Sequence, residues 1–468
     1  VIRWNEIQRK LSGFHTQAID DGEIWRTHGA KLDPAQRLDW HLLKSLQKLG
    51  LRLQQNGLCH LPTAHALIGK YIYFHYLKAR GLLSKSRFDK WKLRESEVFG
   101  RTATLAGFSR LSEQLAEWPN GGIFPLNLDG KEAPQPQHVA LVAGTFAGDD
   151  PETGQYHLDF SAYDFAHIPI ETLSVVYEQF MHDEGTAKQK GAFYTPVPLI
   201  DFMVAELQAT RPLRDGMRVL DPACGSGAFL VQCYRTLVEA KRQELGSLPS
   251  PVELRRLLVE HIYGVDSDGE ACRVAGLSLS LALLDYIEDL PGEANLRRFK
   301  LPDLHNQNIF EADFFDPKSA FRATMQDVRF DWVIGNPPWK ELPVADATKV
   351  NDEDRAAFEW IRANTKHYPT CDGKLSEAFA WRAVEHVQPD GVVGLLLQAG
   401  SLFNVKSQPF RARFFATHRV FCVVNFANLR RRLFAGRMEV PAMAVFYAPY
   451  SQAIPSGEQS ETLDILVV

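Results

Sequence analysis

The sequence after Ile170 alternates between short hydrophobic runs and stretches that are long enough to form helices. The strand-like runs are MRVLDP, HIYGVD, NIFEADF, FDWVIG, GVVGLLLQ, RVFCVVNF and AMAVFYA. Strands that alternate with helix-length segments predict a doubly wound, mostly parallel α/β sheet. The last two runs lie close together in the chain, so we predict that they form an antiparallel pair at one edge of the sheet.

The part of the chain before this alternation is predicted to be mainly helical. In LDPAQRLDWHLLKSLQKLGLRL, Asp33 is a candidate N-cap, and leucines recur on one stripe of the helix that follows. The segment TAHALIGKYIYFHYLKARGLL predicts a second helix that starts at Thr63. Aromatic residues at helical spacing are more often core than stacking surface. We therefore predict that three of them are buried: Tyr71, Phe74 and Tyr76.

Composition excludes several classes of protein. The 468 residues are 45% hydrophobic and 23% charged, which fits a globular chain of two or three domains. No apolar run is long enough to span a bilayer, and the net charge of −5 means that any nucleic-acid surface is a local patch. The six cysteines are scattered without a CxxC pair. This usage favours a reducing cytoplasm and argues against both a disulfide framework and a structural zinc, so we predict no metal site.

A glycine-rich loop follows the first strand-like run, in RVLDPACGSGAFLVQCY. The strand ends at Asp221, the loop carries Gly225 and Gly227, and a helix follows. Glycines let the backbone approach a ligand and expose N–H groups at a helix N-terminus, which suits an anion, whereas Asp221 favours a cation. An amino-acid moiety fits both features. The alternatives are an ordinary glycine turn or a dinucleotide site, although the pattern is not GxGxxG.

Acidic residues also end the next two strands. Asp266, in YGVDSDGEA, stands where an acidic side chain takes a ribose hydroxyl pair in nucleoside-binding α/β folds, with Asp268 as a competitor and helix capping as the alternative. Asp313, in NIFEADFFD, could accept a hydrogen bond from an adenine amino group. Phe314 or Phe315 would then flank the ring, or these aromatic residues simply pack in the core.

The strand FDWVIG leads directly into the tetrapeptide Asn336–Pro337–Pro338–Trp339. Adjacent prolines lack N–H donors and predict a rigid loop at a strand end, where open α/β sheets bind ligands. The Asn336 side-chain oxygen and the Pro337 carbonyl could accept hydrogen bonds from both N–H groups of a planar exocyclic amine while its nitrogen attacks an electrophilic methyl group. Trp339 offers a face on which a flipped base could stack. The alternative is a capped strand end with a packed Trp.

Three further segments are less specific. In GAFYTPVPLIDFMVAEL, Thr195 and Pro196 open a helix, and Thr195 is the predicted N-cap. The basic run NLRRRLFAGR, with Arg430, Arg431 and Arg432, is either a solvated loop or a set of phosphate contacts near the cleft. The lysines of TAKQKGAFY pose the same choice.

Taken in order, GAFYTP, VLDPACGSGAF, YGVDSD, ADFF and VIGNPPW resemble the gamma-class N6-adenine DNA methyltransferases, over roughly 170–449. HALIGKYIYFHYLKARGLL and EWPNGGIF further resemble the region before the methylase in type IIG restriction-modification or BREX-like phage-exclusion polypeptides. The resemblance implies an S-adenosylmethionine-dependent methyltransferase fold, with Asn336, Pro337, Pro338 and Trp339 at the target adenine. The cofactor residues that it implies are Tyr194, Thr195, Asp221, Ala223, Gly225, Gly227, Asp266, Asp313 and Phe314.

The implied organisation is an N-terminal helical region over 1–130, a linker over 131–169 that carries short strands or helices, a catalytic domain over 170–450 and a tail over 451–468. The family usually continues into a target-recognition domain, so we expect a missing C-terminal part, and the absence of an initiator Met also suggests a fragment. No convincing PD…(D/E)xK nuclease constellation is present.

The implied function is site-specific methylation of double-stranded DNA in a restriction or phage-defence system, with possible partner subunits. Two alternatives stay open. One is methylation of RNA bases or protein glutamine amides, which NPP-aromatic loops also serve. The other is a DNA-binding scaffold that is active only with partner subunits.

Overall fold

We analysed a computed structural model of the protein, which describes residues 38–58, 60–117, 126–149, 170, 176, 180, 195–287, 301–429, 440–450 and 464–467. Within the described residues, the N-terminal region contains the helices α1 Leu38–Gln55, α2 Leu61–Ala79, α3 Lys85–Lys90, α4 Leu105–Glu117 and α5 Pro136–Phe146. The helices that alternate with the strands are α6 Val197–Thr210, α7 Ala228–Leu245, α8 Pro251–His261, α9 Gly269–Asp285, α10 Ala320–Met325, α11 Arg355–Asn364, α12 Leu375–Ala383, α13 Gly400–Phe403 and α14 Gln408–Thr417.

The strands form one mixed sheet in the order β3-β2-β1-β4-β5-β7-β6-β8. Their bounds are β1 Val219–Asp221, β2 Ile262–Asp266, β3 Ile309–Glu311, β4 Phe330–Gly335, β5 Val387–Gln398, β6 His418–Asn425, β7 Ala442–Pro449 and β8 Asp464–Val467. The first five strands run parallel to one another, and β7 pairs antiparallel with both β5 and β6. The sheet is therefore the predicted doubly wound, mostly parallel type.

All seven predicted strands are present, and the antiparallel pairing of the last two is confirmed. Their predicted position at the edge of the sheet is wrong, because β8 pairs parallel with β6 and forms the edge itself. β8 lies in the stretch predicted to be a tail. Its four residues are too short a run to stand out in the sequence, and pairing to the exposed edge of β6 gives them their structure.

The predicted N-terminal helical region is also confirmed. Leucines of the predicted stripe on α1 are buried, and so are the aromatic residues of α2. Tyr71 of α2 stacks on Phe108 of α4 and on Phe146 of α5, with ring centroids 5.6 and 5.9 Å apart. Tyr76 donates a hydrogen bond of 2.6 Å from its hydroxyl to Asp285 of α9, which ties this region to the sheet domain. These aromatic residues are core, as predicted.

Helix α5 lies within the stretch predicted to be a linker. Val139, Val142 and Phe146 on this helix are buried against the other N-terminal helices. A helix in this stretch agrees with the expectation of short strands or helices there, and in the described part, residues 131–149, it packs on the helical region. Among the described residues, no helix combines the length and the apolar character needed to cross a membrane.

Strand order determines where a ligand site can form. The chain proceeds from β1 outward to β2 and β3, then returns to the other side of β1 with β4 and β5. The carboxyl ends of β1 and β4 are therefore adjacent at the point where strand order reverses. Open α/β sheets bind ligands in the crevice at such a point. Asp221 ends β1 and Asn336 follows β4, so both residues stand at this crevice.

Candidate active site

A cleft of about 970 Å³ lies at the carboxyl ends of β1 to β4 and is bounded by α11. Nine Asp or Glu residues line it, against five Lys or Arg residues. This balance makes the cleft net acidic and favours a ligand that carries positive charge. Predicted site residues among the lining are Thr195, Asp221, Ala223, Gly225, Asp266, Asp313, Phe314, Asn336 and Pro338.

The carboxylate of Asp221 lies directly over the end of β4. Asp221 is only 1% exposed, and its Oδ1 accepts a hydrogen bond of 3.1 Å from the N–H of Ala223. A Cβ added to Gly335, the last residue of β4, would lie 2.4 Å from Asp221 Oδ1. Gly335 is thus the residue that leaves room for this carboxylate. Gly335 was not among the predicted site residues, although its place between VI and NPPW marks it in the sequence.

The glycine-rich loop is held to β2 by hydrogen bonds. Gly225 has a φ of +50° and donates its N–H to Asp266 Oδ2 at 2.9 Å, while Asp266 Oδ1 accepts from the N–H of Asp268 at 2.9 Å. Asp266 therefore fixes the loop in addition to lining the cleft. The Gly225 N–H therefore is not one of the loop N–H groups that could bind an anion, because it already donates to Asp266. Asp268 is the N-cap of α9.

Gly227 has a different role from the one predicted. It precedes α7 with a φ of +83°, and an added Cβ would lie 3.0 Å from Cα of Ala275 in α9. Gly227 is not among the residues that line the cleft. Its missing side chain permits close packing of two helices, which is a structural requirement of the loop and not a ligand contact.

Asp313 and Phe314 follow β3 on the far side of the cleft. Burial raises the pKa of Asp313, whose Oδ1 accepts a hydrogen bond of 2.7 Å from the N–H of Phe315. Phe314 is 2% exposed and stacks on Phe379, with ring centroids 5.3 Å apart. Arg382 donates to the Phe314 carbonyl at 3.1 Å. Most of the Phe314 ring is therefore core, and only part of it faces the cleft.

The segment after β4 alternates between cleft and core. Asn336, Pro338 and Lys340 line the cleft, whereas Pro337 and Trp339 are buried. An extended chain sends successive side chains to opposite sides, which explains the alternation. Lys340, which the sequence analysis did not single out, forms an ion pair with Asp354 at the start of α11.

Asn336 is oriented by Thr195. Its Nδ2 donates a hydrogen bond of 3.0 Å to Thr195 Oγ1, which directs the amide nitrogen toward that hydroxyl and the amide oxygen away from it. The prediction that Thr195 is a helix N-cap is wrong, because α6 begins at Val197 with Pro196 as the N-cap residue. The Thr195 hydroxyl serves a long-range contact across the crevice, and this contact could not be inferred from local sequence.

Trp339 departs most clearly from the prediction. Its ring is 6% exposed in the hydrophobic core, and its Nε1 donates to the Leu396 carbonyl of β5 at 3.3 Å. The ring does not line the cleft in this structure. The packed Trp that was weighed as the alternative is therefore what the structure shows, and the NPPW loop is anchored to β5 through it.

The family model for N-6 DNA Methylase matches residues 169–449, which is more than half of the chain. The chain belongs to the N-6 DNA methylase family. The resemblance inferred from the glycine loop and NPPW is thereby confirmed.

Relatives of this N-6 DNA methylase come from restriction systems. The type I restriction enzyme MjaIX methylase subunit of Methanocaldococcus jannaschii is 26% identical over 230 residues, covering 48% of this chain and 32% of the relative. The HindI methylase subunit of Haemophilus influenzae is 23% identical over 237 residues, covering 50% and 41%. The chain thus spans about a third to two fifths of the length of these relatives.

The fold is also found in a solved structure. The type IIL restriction-modification enzyme MmeI, solved in complex with DNA, superposes with a TM-score of 0.54 at 14% identity. The match covers 91% of this chain and 58% of that one. At this identity the likeness supports the fold alone.

A turn over residues 371–374 supports the NPPW loop of this N-6 DNA methylase. Leu375 donates its N–H to the Lys340 carbonyl at 2.9 Å, and Leu342 donates to the Gly373 carbonyl at 3.0 Å. Glu377, which is 0% exposed, accepts a hydrogen bond of 2.6 Å from the N–H of Cys371. Burial raises the pKa of Glu377 to about 7. Glu377 was not predicted from the sequence, because nothing in the local sequence marks a helical Glu as buried.

Glu377 gives the first prediction. Its pKa is higher in the folded chain than the ordinary value of 4.5, so the folded state binds more protons between these values and loses stability as pH rises through about 7. We expect the free energy of unfolding of wild type to fall by on the order of 1–3 kcal/mol between pH 5 and pH 8 relative to Glu377→Gln. Urea denaturation at several pH values measures this difference, and parallel pH profiles for the two proteins would contradict it.

Trp339 gives the second prediction. Trp339→Phe removes the hydrogen bond to Leu396 and leaves part of the site unfilled, so we expect a loss of about 1–2 kcal/mol in the free energy of unfolding. A ring exposed for stacking would give a change within about 0.5 kcal/mol. Chemical denaturation of the two proteins distinguishes these cases.

The remaining predicted site residues lie outside the described part of the chain. They are Tyr194 at the proposed cofactor pocket, the DNA-contact candidates Arg430, Arg431 and Arg432, and the lysines Lys188 and Lys190. Among the described residues, no group of three or more His, Cys, Asp or Glu side chains could hold a metal ion.

Proposed function

We propose that this N-6 DNA methylase transfers a methyl group from S-adenosylmethionine to the N6 atom of adenine in double-stranded DNA. The observation that carries the proposal is the position of Asn336. Its amide lies in the cleft at the strand-order reversal, is oriented by Thr195 and stands next to Gly335, over which the Asp221 carboxylate lies. Family membership supports the same reaction.

The cleft fits the proposed cofactor. When bound, S-adenosylmethionine supplies an electrophilic methyl group on a positively charged sulfur. The net acidic lining suits that charge and the ammonium of the methionine portion. Thr195, Asp221 and Gly225 would hold the methionine portion, Asp266 the ribose hydroxyls, and Asp313 the adenine amine. Tyr194, Ala223 and Phe314 complete the proposed pocket, and Gly227 contributes through helix packing.

Asn336 would act on the nucleophile. The lone pair of an exocyclic adenine amine is delocalised into the ring, so the nitrogen attacks poorly until positive charge is accommodated. The Asn336 amide oxygen and the Pro337 carbonyl would accept hydrogen bonds from the two N–H groups of the adenine amine. These hydrogen bonds strengthen as positive charge develops on the nitrogen. The Thr195 hydroxyl holds the amide in one orientation before the substrate arrives.

Relatives in type I restriction systems are named as methylase subunits, and the chain covers only part of their length. We propose that this chain likewise marks host DNA in a restriction-modification or phage-defence system. It would act with partner subunits or with a C-terminal target-recognition part. Cleavage of DNA is not proposed for this chain.

Transfer of tritium from labelled S-adenosylmethionine tests the proposal. The full-length protein with its partner subunits would be supplied with duplex DNA, RNA or protein as the acceptor. We expect label in duplex DNA. Label in RNA or in protein amides would favour the alternative substrates, and cofactor binding without any transfer would favour a DNA-binding scaffold.

A further inference from the structure

A short segment after β5 projects two apolar side chains into solvent. This segment, Gly400–Ser407, is called the β5 projection below. Phe403 is 48% exposed and Val405 is 86% exposed, although both are large hydrophobic residues. Lys406 follows directly and is also exposed. Side chains of this type on a catalytic edge of the sheet are suited to a contact surface.

The β5 projection is held rigidly by its own hydrogen bonds. Arg411 of α14 donates from Nη1 to the carbonyls of Leu402 and Asn404, at 2.6 and 3.1 Å. Asn404 donates its N–H to the Gly400 carbonyl at 3.0 Å, and its Oδ1 accepts from the N–H of Lys406 at 3.1 Å. The carbonyls on either side of Phe403 are thus fixed, and its exposure is built into the loop.

The projection stands beside the NPPW loop. β4 and β5 are parallel neighbours, so both segments leave the same edge of the sheet. Trp339 is hydrogen-bonded to the carbonyl of Leu396 near the end of β5. The Nζ of Lys374, in the turn that supports the NPPW loop, lies 3.9 Å from the position that a Cβ on Gly400 would occupy. Lys406 lies 3.8 Å from Asp372 of that same turn.

The charge of this part of the chain is complementary to DNA. Residues 391–438 contain no Asp or Glu, in a protein whose net charge is −5. In the described part of this stretch, the basic residues are Lys406, Arg411, Arg413 and Arg419. An excess of basic residues in this part of an otherwise acidic protein fits the local positive charge that binding to phosphates requires.

We infer that Phe403 and Val405 form an apolar wedge that enters the base stack of double-stranded DNA beside the target adenine. The inference rests on the proposed function. An adenine must leave the duplex to reach Asn336, and its departure costs stacking and pairing. Apolar side chains on a rigid support can occupy the opened step, while neighbouring cations contact the phosphates. The wedge would thereby favour the opened duplex and would leave the rate of the methyl-transfer step itself unchanged.

The test uses the full-length protein with its partner subunits, after the recognition sequence has been determined from the methylated positions in plasmid DNA. Two duplexes are compared, one fully paired and one with an abasic site opposite the target adenine. The variant is the double substitution Phe403→Ala with Val405→Ala. Val252→Ala on α8 is the matched control, because Val252 is also 77% exposed but lies on another element.

We expect the double variant to lose about 10- to 100-fold in single-turnover methylation of the paired duplex. On the abasic duplex, where the adenine is already unpaired, it should recover to within about threefold of wild type. Val252→Ala should match wild type on both. Unchanged methylation of the paired duplex would overturn the wedge, and so would an equal loss on both duplexes, which indicates ordinary docking. If wild type itself methylates no DNA, the proposed function fails and the wedge with it.

Discussion

Asn336→Ala is expected to lower the single-turnover rate of DNA methylation by about 100- to 1000-fold, which is typical for loss of one preorganised acceptor or donor at a developing charge. The affinity for S-adenosylmethionine should stay close to that of wild type, because Asn336 is proposed to contact the target base. Calorimetric titration of the cofactor and rapid-quench methylation of a competent duplex measure the two quantities separately.

Thr195 provides a matched pair of controls for this result. Thr195→Ser keeps the hydroxyl that orients the Asn336 amide, whereas Thr195→Val removes it at similar size. At saturating S-adenosylmethionine, which removes any effect of Thr195 on cofactor affinity, Thr195→Ser should therefore methylate at nearly the wild-type rate, and Thr195→Val should be slower. Wild-type methylation by Asn336→Ala would contradict the assignment of Asn336 and leave NPPW as a stiff strand end.

Gly335→Ala is expected to weaken binding of S-adenosylmethionine by roughly 10- to 100-fold. The new Cβ would lie 2.4 Å from Asp221 Oδ1, so the carboxylate must move out of its present position. A hydrogen bond to a charged group contributes about 1.5–3 kcal/mol, and that contribution is lost if Asp221 no longer meets the ammonium. Calorimetric titration measures the change in affinity, and chemical denaturation shows how much stability is lost through overpacking.

Gly276→Ala is the matched control. It makes the same chemical change within α9, where an added Cβ would meet nothing within 4 Å. It should leave cofactor affinity unchanged and stabilise the helix slightly, since Ala is a better helix former than Gly. Equal cofactor affinity in Gly335→Ala and Gly276→Ala would show that the position of Asp221 does not matter for the cofactor.

Sequence patterns were sufficient for the parallel strands β1 to β5 and for the strand-end acids, but not for the edge of the sheet, which β8 forms. Alternation of strand-like and helix-length segments determines that β1 to β5 are parallel, and parallel strands bring their carboxyl ends to one edge. Asp221, Asp266, Asp313 and Asn336 consequently share one cleft, as predicted. These inferences depend only on period, spacing and chain direction, which are local properties of the sequence.

The orientation of individual side chains was not predictable in the same way. Trp339 is buried because the extended NPPWK segment places alternate residues in the core, and because Leu396 of β5 offers an acceptor at that position. Thr195 pairs with a residue 141 positions away instead of capping its own helix. The importance of Gly335 depends on the Asp221 carboxylate of a neighbouring strand. Each of these features is set by tertiary contacts between distant segments.

Analysis of nucleosides by mass spectrometry tests the central claim most directly. Plasmid DNA is incubated with isotopically labelled S-adenosylmethionine and the protein, supplied with the partner subunits proposed for it, and then digested to nucleosides. We predict labelled N6-methyladenine with wild type and a loss of about 100-fold or more in its rate of formation with Asn336→Ala. Label in a methylated cytosine, or no label in DNA when RNA or protein is labelled, would contradict the claim.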